Sequence, residues 1–265
     1  MYPQALGTVF GYAVTLYLLF QVAAVFVAAP AAVWSGRARG FSSRVSLAAL
    51  LAGIVGAFFG GRVVGALDAA VLTPLWTTVP WRGLLTSGQA SMGALTGGLL
   101  AAALFLRWSP EVRGRWGDAL DCLPFPVTLA HAVARLGCLA AGCCHGKPAW
   151  DLPWAVVYPR LDSVAIYKGI PVHPSQLYDV GANLVIAALL LFYFRRGMLR
   201  GRLLGCYLAL YGAARFLVEE TRGDLRPLVG PLSVYQVGSL LFLGGGLLGF
   251  WWGKRGGRSA PLAEK

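Results

Sequence analysis

The sequence predicts an all-α integral membrane protein of about seven transmembrane helices, with the N-terminus outside and the C-terminus cytoplasmic. Three observations carry this prediction. Charged residues make up 13% of the 265 positions and hydrophobic ones 57%, about half the charge that coats a soluble domain. Seven apolar runs can be drawn, each near the roughly 20 residues that cross the hydrocarbon core. Lys and Arg gather in alternate loops, as they do on the cytoplasmic face of membranes. The mean hydropathy of +0.63 agrees.

The runs cover 8–34, 45–67, 87–106, 119–141, 177–194, 203–218 and 232–252. No Lys or Arg precedes the first. It therefore lacks the basic start of a secretory signal and reads as a retained helix. Gly60 and Gly61 interrupt the second run, and Arg62 follows them. The apolar stretch 67–81 carries Pro74 and Pro80 and reads as a re-entrant or interfacial segment. The longest outer loop, 142–176, is expected to form a small periplasmic head. Residues 1–252 read as one helical domain, and 253–265 as a Gly-rich, disordered cytoplasmic tail. No repeat of fixed period is visible.

The charge pattern sets the orientation. The inner loops carry Arg37, Arg39 and Arg44, then Arg107, Arg113 and Arg115, then Arg195, Arg196, Arg200 and Arg202; the tail carries Lys254, Arg255, Arg258 and Lys265. The net charge is +12. Short basic clusters between apolar runs suit anionic lipid rather than nucleic acid. Nine Trp and ten Tyr suit belts at the headgroup level.

Three arginines fall within or beside apolar runs: Arg62, Arg135 and Arg215. A guanidinium in the bilayer costs at least ~2.5 kcal/mol and does not escape by losing its proton. Arg215 has Glu219 at i+4, an ion-pair spacing on one helix face. Arg62 has Asp68 nearby, and Arg135 has no carboxylate within ten residues. A phosphate gripped by the guanidinium fork is the natural partner for both, and in a membrane that phosphate belongs to a phospholipid. The topology puts all three arginines toward the outer side. His145, His173, Arg222 and Asp224 lie in outer loops there, so one polar site is expected at the outer leaflet.

The motifs then resemble a known family. His173-Pro174-Ser175-Gln176-Leu177-Tyr178-Asp179 resembles the His-Pro-Ser-Gln-Leu-Tyr-Glu signature of prolipoprotein diacylglyceryl transferases. Arg135-Leu136-Gly137, with Gly142 and Gly146 after it, resembles that family's Arg-Ile-Gly-Asn segment. Gly56 to Arg62 resembles its glycine-rich second helix. Arg215-Phe216-Leu217-Val218-Glu219 with Arg222 and Asp224 resembles its Arg-Phe-x-x-Glu-x-x-Arg segment. Leu232-Ser233 and Gln236 resemble the opening of its last helix.

The resemblance implies a multi-pass enzyme of the bacterial inner membrane. Such enzymes move the diacylglyceryl group of phosphatidylglycerol onto the thiol of a lipobox cysteine in a prolipoprotein signal peptide, and glycerol 1-phosphate leaves. No cofactor and no metal is implied. Arg62, Arg135, Arg215 and Arg222 are expected to bind phosphate. Gln176, Tyr178, Ser91 and Glu219 are expected to add substrate contacts. Arg135, Arg215, His173 and His131 are the catalytic candidates, the two histidines as bases. The alternatives are a related lipid transferase with another donor or acceptor, and a non-catalytic phospholipid-binding protein.

The sequence also departs from the family. The family's His-Gly-Gly reads Ser91-Met92-Gly93 here, and serine is no base at neutral pH. Cys138 replaces an Asn, Cys143 replaces a Glu, and Phe10-Gly11 replaces a Tyr-Gly. Cys138, Cys143 and Cys144 read as apolar packing residues, as a disulfide on an oxidising face, as a reactive thiol, or as metal ligands. Cys122 and Cys206 read as core. Asp179, shorter than the family's Glu, reads as a helix cap.

Overall fold

In a bilayer, backbone N–H and C=O groups find partners only within the protein, which makes each apolar run a helix. The computed structural model describes residues 6–9, 12–72, 90–160, 163–224 and 226–253. Its helices are α1 (Leu16–Ala38), α2 (Ser43–Leu72), α3 (Ser91–Trp108), α4 (Trp116–Asp121), α5 (Pro124–Ala141), α6 (Ser175–Arg195), α7 (Leu203–Glu220) and α8 (Val234–Trp252). Among the described residues, six stretches are long and apolar enough to cross a membrane: α1, most of α2, α3, α4 with α5, α6 and α8. The remaining predicted run is helical as α7, but Arg215, Glu219 and Glu220 dilute its apolar character. The protein is thus a helical, multi-pass membrane protein. The segment with Pro74 and Pro80, Phe10-Gly11, Ser87 and the tail from Lys254 lie outside the described residues.

Two run boundaries differ from the sequence reading. The first run opens with a hairpin, β1 (Gly7–Val9) and β2 (Tyr12–Val14), and the helix starts only after Thr15. The Thr15 side chain accepts from the Leu18 N–H at 3.2 Å and caps α1. The 119–141 run breaks at Cys122-Leu123, because Pro124 lacks an N–H and opens a new helix. Ser35 Oγ donates to the Cys122 carbonyl there at 3.1 Å.

Small residues let the helices approach. Gly56 and Gly60 of α2 face Gly97 and Gly93 of α3; a Cβ on Gly60 would lie 2.3 Å from the Gly93 carbonyl oxygen. Lipid tails are as apolar as leucine, so close van der Waals packing of this kind drives association. Gly205 and Gly212 of α7 meet α8 in the same way, and Gly137 of α5 meets Tyr17 and Phe20 of α1.

The helix ends meet at two opposite ends of the molecule. At one, Asp121 accepts from the Gly201 and Leu203 N–H groups at 2.5 and 2.9 Å, so a carboxylate from α4 caps α7. Ser42, before α2, donates through N–H and Oγ to Glu111 at 2.9 and 2.7 Å. The Arg-rich loops lie at this end. At the other end, the described residues 142–160 and 163–174 form a small head with an antiparallel pair, β3 (Val156–Val157) and β4 (Pro171–Val172). A second hairpin, β5 (Leu228–Val229) and β6 (Leu232–Ser233), leads into α8 through a Ser233–Gln236 capping box.

The head is tied to the end of α7. Gly146 N donates to the His173 carbonyl at 2.9 Å, Lys147 N to Thr221 at 2.8 Å, and Gly223 N to His145 at 3.2 Å. Gly146 is required here: a Cβ would sit 2.4 Å from His173 Cβ and 2.6 Å from its carbonyl oxygen.

Candidate functional site

The site lies where α5, α6 and α7 end beneath the head. Arg135, on α5, is 3% exposed. Its Nε lies 3.0 Å from Asp179 Oδ2 and 3.1 Å from His131 Nε2. The sequence offered Arg135 no near carboxylate and read Asp179 as a cap. Instead Pro174 holds the cap position of α6, and Asp179, one turn inside, is the buried counter-ion of Arg135. Arg215 and Arg222 also act on Asp179 electrostatically. The geometry therefore brings Arg135, Arg215, Arg222 and His131 into one neighbourhood.

Arg215, on α7, donates through Nη2 to Glu219 Oε2, the pair that the i, i+4 spacing predicts. Glu219 also accepts from Ser233 Oγ at 3.3 Å and lies 3.6 Å from Arg226 Nε. Arg226 stacks over Tyr235 at 4.0 Å and escaped the sequence reading, since it lies in a loop beyond the recognisable motif. Arg222 forks onto both oxygens of Asp224 at 2.8 Å each and acts electrostatically on the Cys144 thiol.

The arginines retain binding capacity. Arg135 Nη2, Arg215 Nε and Arg215 Nη1 are buried without a hydrogen-bond acceptor. Most buried donors are paired, and each unmade bond costs about 1–3 kcal/mol. Donors of this kind, on permanently charged groups, point to an anion.

The heptapeptide supports the site from the head. Gln176 is fully buried, and its Nε2 donates to the Cys143 carbonyl at 2.7 Å and to Tyr158 Oη at 3.0 Å. Its amide nitrogen is thus taken up in holding the head. Tyr178 Oη accepts from Trp154 Nε1 at 3.0 Å and lies 3.3 Å from His173 Nδ1. His173 therefore bonds Tyr178 rather than an arginine. His145 is a tether: Nδ1 lies 3.0 Å from the Gly146 carbonyl, and Nε2 accepts from Ile166 N at 2.9 Å.

Arg62 and Ser91 lie on the α2–α3 pair next to a backbone bond, in which Ala90 N donates to the Gly61 carbonyl at 3.0 Å. Arg62 stacks over Phe58 at 5.2 Å. Asp68, the carboxylate nearest it in sequence, accepts from Tyr235 Oη.

The thiols converge. Gly142 ends α5 in the left-handed conformation, φ 81°, and Cys144 repeats it at φ 61°. That conformation costs a non-glycine residue about 1–2 kcal/mol. The turn folds Cys143 and Cys144 back on Cys138, and the three Sγ atoms lie within 4.8 Å of one another. All five cysteines are free thiols. The Cys143 thiol donates to the Cys138 carbonyl at 3.8 Å; the adjoining Cys138 and Cys143 thiols, then the charges of Arg222 and Arg135, lower the Cys144 pKa against the cost of its burial.

Beside the site, α1, α2, α3 and α5 line a half-open cavity of about 410 Å³, within the roughly 300–1,000 Å³ of ligand pockets. Its wall is apolar, from Ala28, Phe58 and Leu95 among others, with Gln21 and His131 as polar points. His131 thus touches both the cavity and Arg135.

A family model described as prolipoprotein diacylglyceryl transferase matches residues 4–252. The chain belongs to this family. Phosphatidylglycerol–prolipoprotein diacylglyceryl transferase 2 of Clostridium perfringens is 28% identical over 250 residues, 92% of either chain. The phosphatidylglycerol–prolipoprotein diacylglyceryl transferase of Cupriavidus metallidurans is 31% identical over 251 residues, 88% of either chain. That of Bordetella avium is 35% identical over 201 residues, 72% of this chain and 71% of its own. In this family member the Arg135, heptapeptide and Arg215–Asp224 motifs come together, while the Gly56–Arg62 motif packs on α3.

Proposed function

We propose that this protein transfers the diacylglyceryl group of phosphatidylglycerol to the thiol of a lipobox cysteine in a prolipoprotein. Family membership supports the reaction class. The observation that carries the site assignment is the junction at His131. An apolar cavity suited to acyl chains runs up to His131, which is bonded to Arg135. Arg135 and Arg215 hold buried N–H groups without acceptors.

In this reading the acyl chains enter the cavity and the phosphate meets Arg135 and Arg215, with Arg222 and Arg62 flanking. The incoming thiolate attacks the glycerol carbon and forms a C–S bond. The C–O bond breaks, and its electron pair leaves on glycerol 1-phosphate. The guanidinium groups offset the charge that builds on that oxygen. Glu219 holds Arg215, and Gln176 holds the turn at Cys143. His131 Nε2 already accepts from Arg135, so His131 positions the arginine, and His173 is the histidine left to receive a proton. Ser91 contributes a polar contact near Arg62. The Arg-rich end faces the cytoplasm by the positive-inside rule. All seven runs cross, α7 included, and the head and site face the outer leaflet of the inner membrane.

The test is purified protein incubated with phosphatidylglycerol liposomes and a lipobox peptide, read by mass spectrometry. A diacylglyceryl mass gain on the peptide thiol is expected. No gain, with the Cupriavidus metallidurans relative active under the same conditions, overturns the reading in favour of another lipid transfer or of silent lipid binding.

A further inference from the structure

Three thiols at the end of α5 stand in a relation that the arginine chemistry leaves unexplained. Their Sγ atoms lie within 4.8 Å of one another, and Zn–S bonds of about 2.3 Å in tetrahedral geometry place sulfurs roughly 3.8 Å apart. A modest closing of the turn therefore reaches coordination distance. Among the described residues this is the one group of three metal-ligating side chains so close together. His145, next in sequence, supplies no fourth ligand, because its two ring nitrogens are engaged by Gly146 and Ile166. Three protein ligands with an open fourth position are the make-up of catalytic rather than structural zinc sites. The backbone is shaped for this arrangement: Gly142 and Cys144 both hold the left-handed conformation that turns the chain back on Cys138. Gln176 fixes the Cys143 carbonyl, and the Arg222 guanidinium beside Cys144 offsets the charge of a thiolate cluster.

We propose that Cys138, Cys143 and Cys144 bind one divalent zinc-class cation whose open fourth position takes the thiol of the acceptor peptide. The second half of this statement rests on the transferase reading; the first does not. Coordination would strip the proton from a bound thiol, so the acceptor R–SH would become a metal-bound thiolate and its proton would pass by way of His173, the base of the transferase reading, to water. The sulfur lone pair attacks the glycerol carbon, the C–S bond forms, and the C–O bond breaks with its pair leaving on the phosphate monoester. The product is a thioether, a weaker ligand than a thiolate, and it departs. The site would replace the base that this chain loses where Ser91 stands.

The experiment loads reduced, metal-free full-length protein in detergent with Zn(II), and separately with Cd(II). Elemental analysis and the cadmium–thiolate charge-transfer band are read. One equivalent per chain is expected, with a band intensity for three thiolates. The band should grow by one further thiolate when lipobox peptide is added, and not with a Cys→Ser peptide. Cys122→Ser and Cys206→Ser keep the metal. Cys138→Ser and Cys144→Ser lose it. Cys143→Ser, whose thiol otherwise reaches only its neighbours, loses it while eluting as a monodisperse folded protein. Wild type that binds less than half an equivalent, or a folded Cys143→Ser that keeps the metal, overturns the site. A bound metal whose band ignores the peptide overturns the acceptor role alone. A loaded, peptide-responsive protein without lipid transfer leaves the site standing and overturns the transferase reading.

Discussion

Arg215 has one of its three guanidinium nitrogens on Glu219 and the other two without acceptors. Arg215→Ala is expected to act twice. Transfer should fall about 10²–10³-fold, the loss typical of removing one donor to a developing charge. Glu219 would also be left buried without its main partner, which costs about 3–5 kcal/mol and should appear in thermal unfolding in detergent. Arg215→Lys separates the two effects, because it keeps the charge and loses the fork. Stability should return further than rate, and equal recovery of both would count against a phosphate-gripping role. The Arg215–Glu219 pair was legible in the sequence because both partners sit on one helix face. The Arg135–Asp179 pair was not. Its partners lie on different helices, and only the packing of α5 on α6 joins them. The thiol triad was half-legible, since the spacing was visible but the left-handed turn that closes it was not.

Helices α2 and α3 meet through glycines on both faces. Gly60→Leu is expected to destabilise the protein by about 1–3 kcal/mol, the range for overpacking, because its side chain must displace the Gly93 carbonyl. Gly244 has nothing within 4 Å of its Cβ position, so Gly244→Ala should hold or slightly raise stability. Unfolding midpoints in one detergent check both, and equal shifts would contradict the packing argument. Run lengths and helix identity were readable from hydropathy, because the bilayer thickness sets them. The hairpin before α1 and the break ahead of Pro124 were not. An apolar window averages over a local capping hydroxyl and a missing N–H.

At the scale of the whole molecule, one acid-sensitive point is the junction of head and α7. Burial raises the Asp224 pKa, but the Arg222 fork and then Arg226 more than reverse this and hold the carboxyl below its ordinary value. A carboxyl with a depressed folded value stabilises the fold above its unfolded pKa of about 3.9 and loses that contribution as pH falls through the folded value. The junction should therefore hold from neutral pH down to about 4 and loosen below it. Asp224→Asn should flatten that acid limb in unfolding midpoints measured between about pH 3 and 7; an unchanged limb would place the acid sensitivity elsewhere. The head itself was foreseeable as a long loop. Its attachment was not, because Gly146, Gly223 and Lys147 bond through their backbones and leave no side-chain signature.

The cavity between α1, α2, α3 and α5 has a mechanical consequence. Space that side chains leave unfilled is eliminated on unfolding, so hydrostatic pressure drives such a protein toward the unfolded state. A chain stripped of lipid should thus be soft to compression in a way its glycine-packed helix pairs are not. A phospholipid seated in the void should stiffen it, and should raise the melting temperature with lipid concentration as any ligand of the native state does. A cavity of this size would then make the protein depend on the membrane around it for its rigidity.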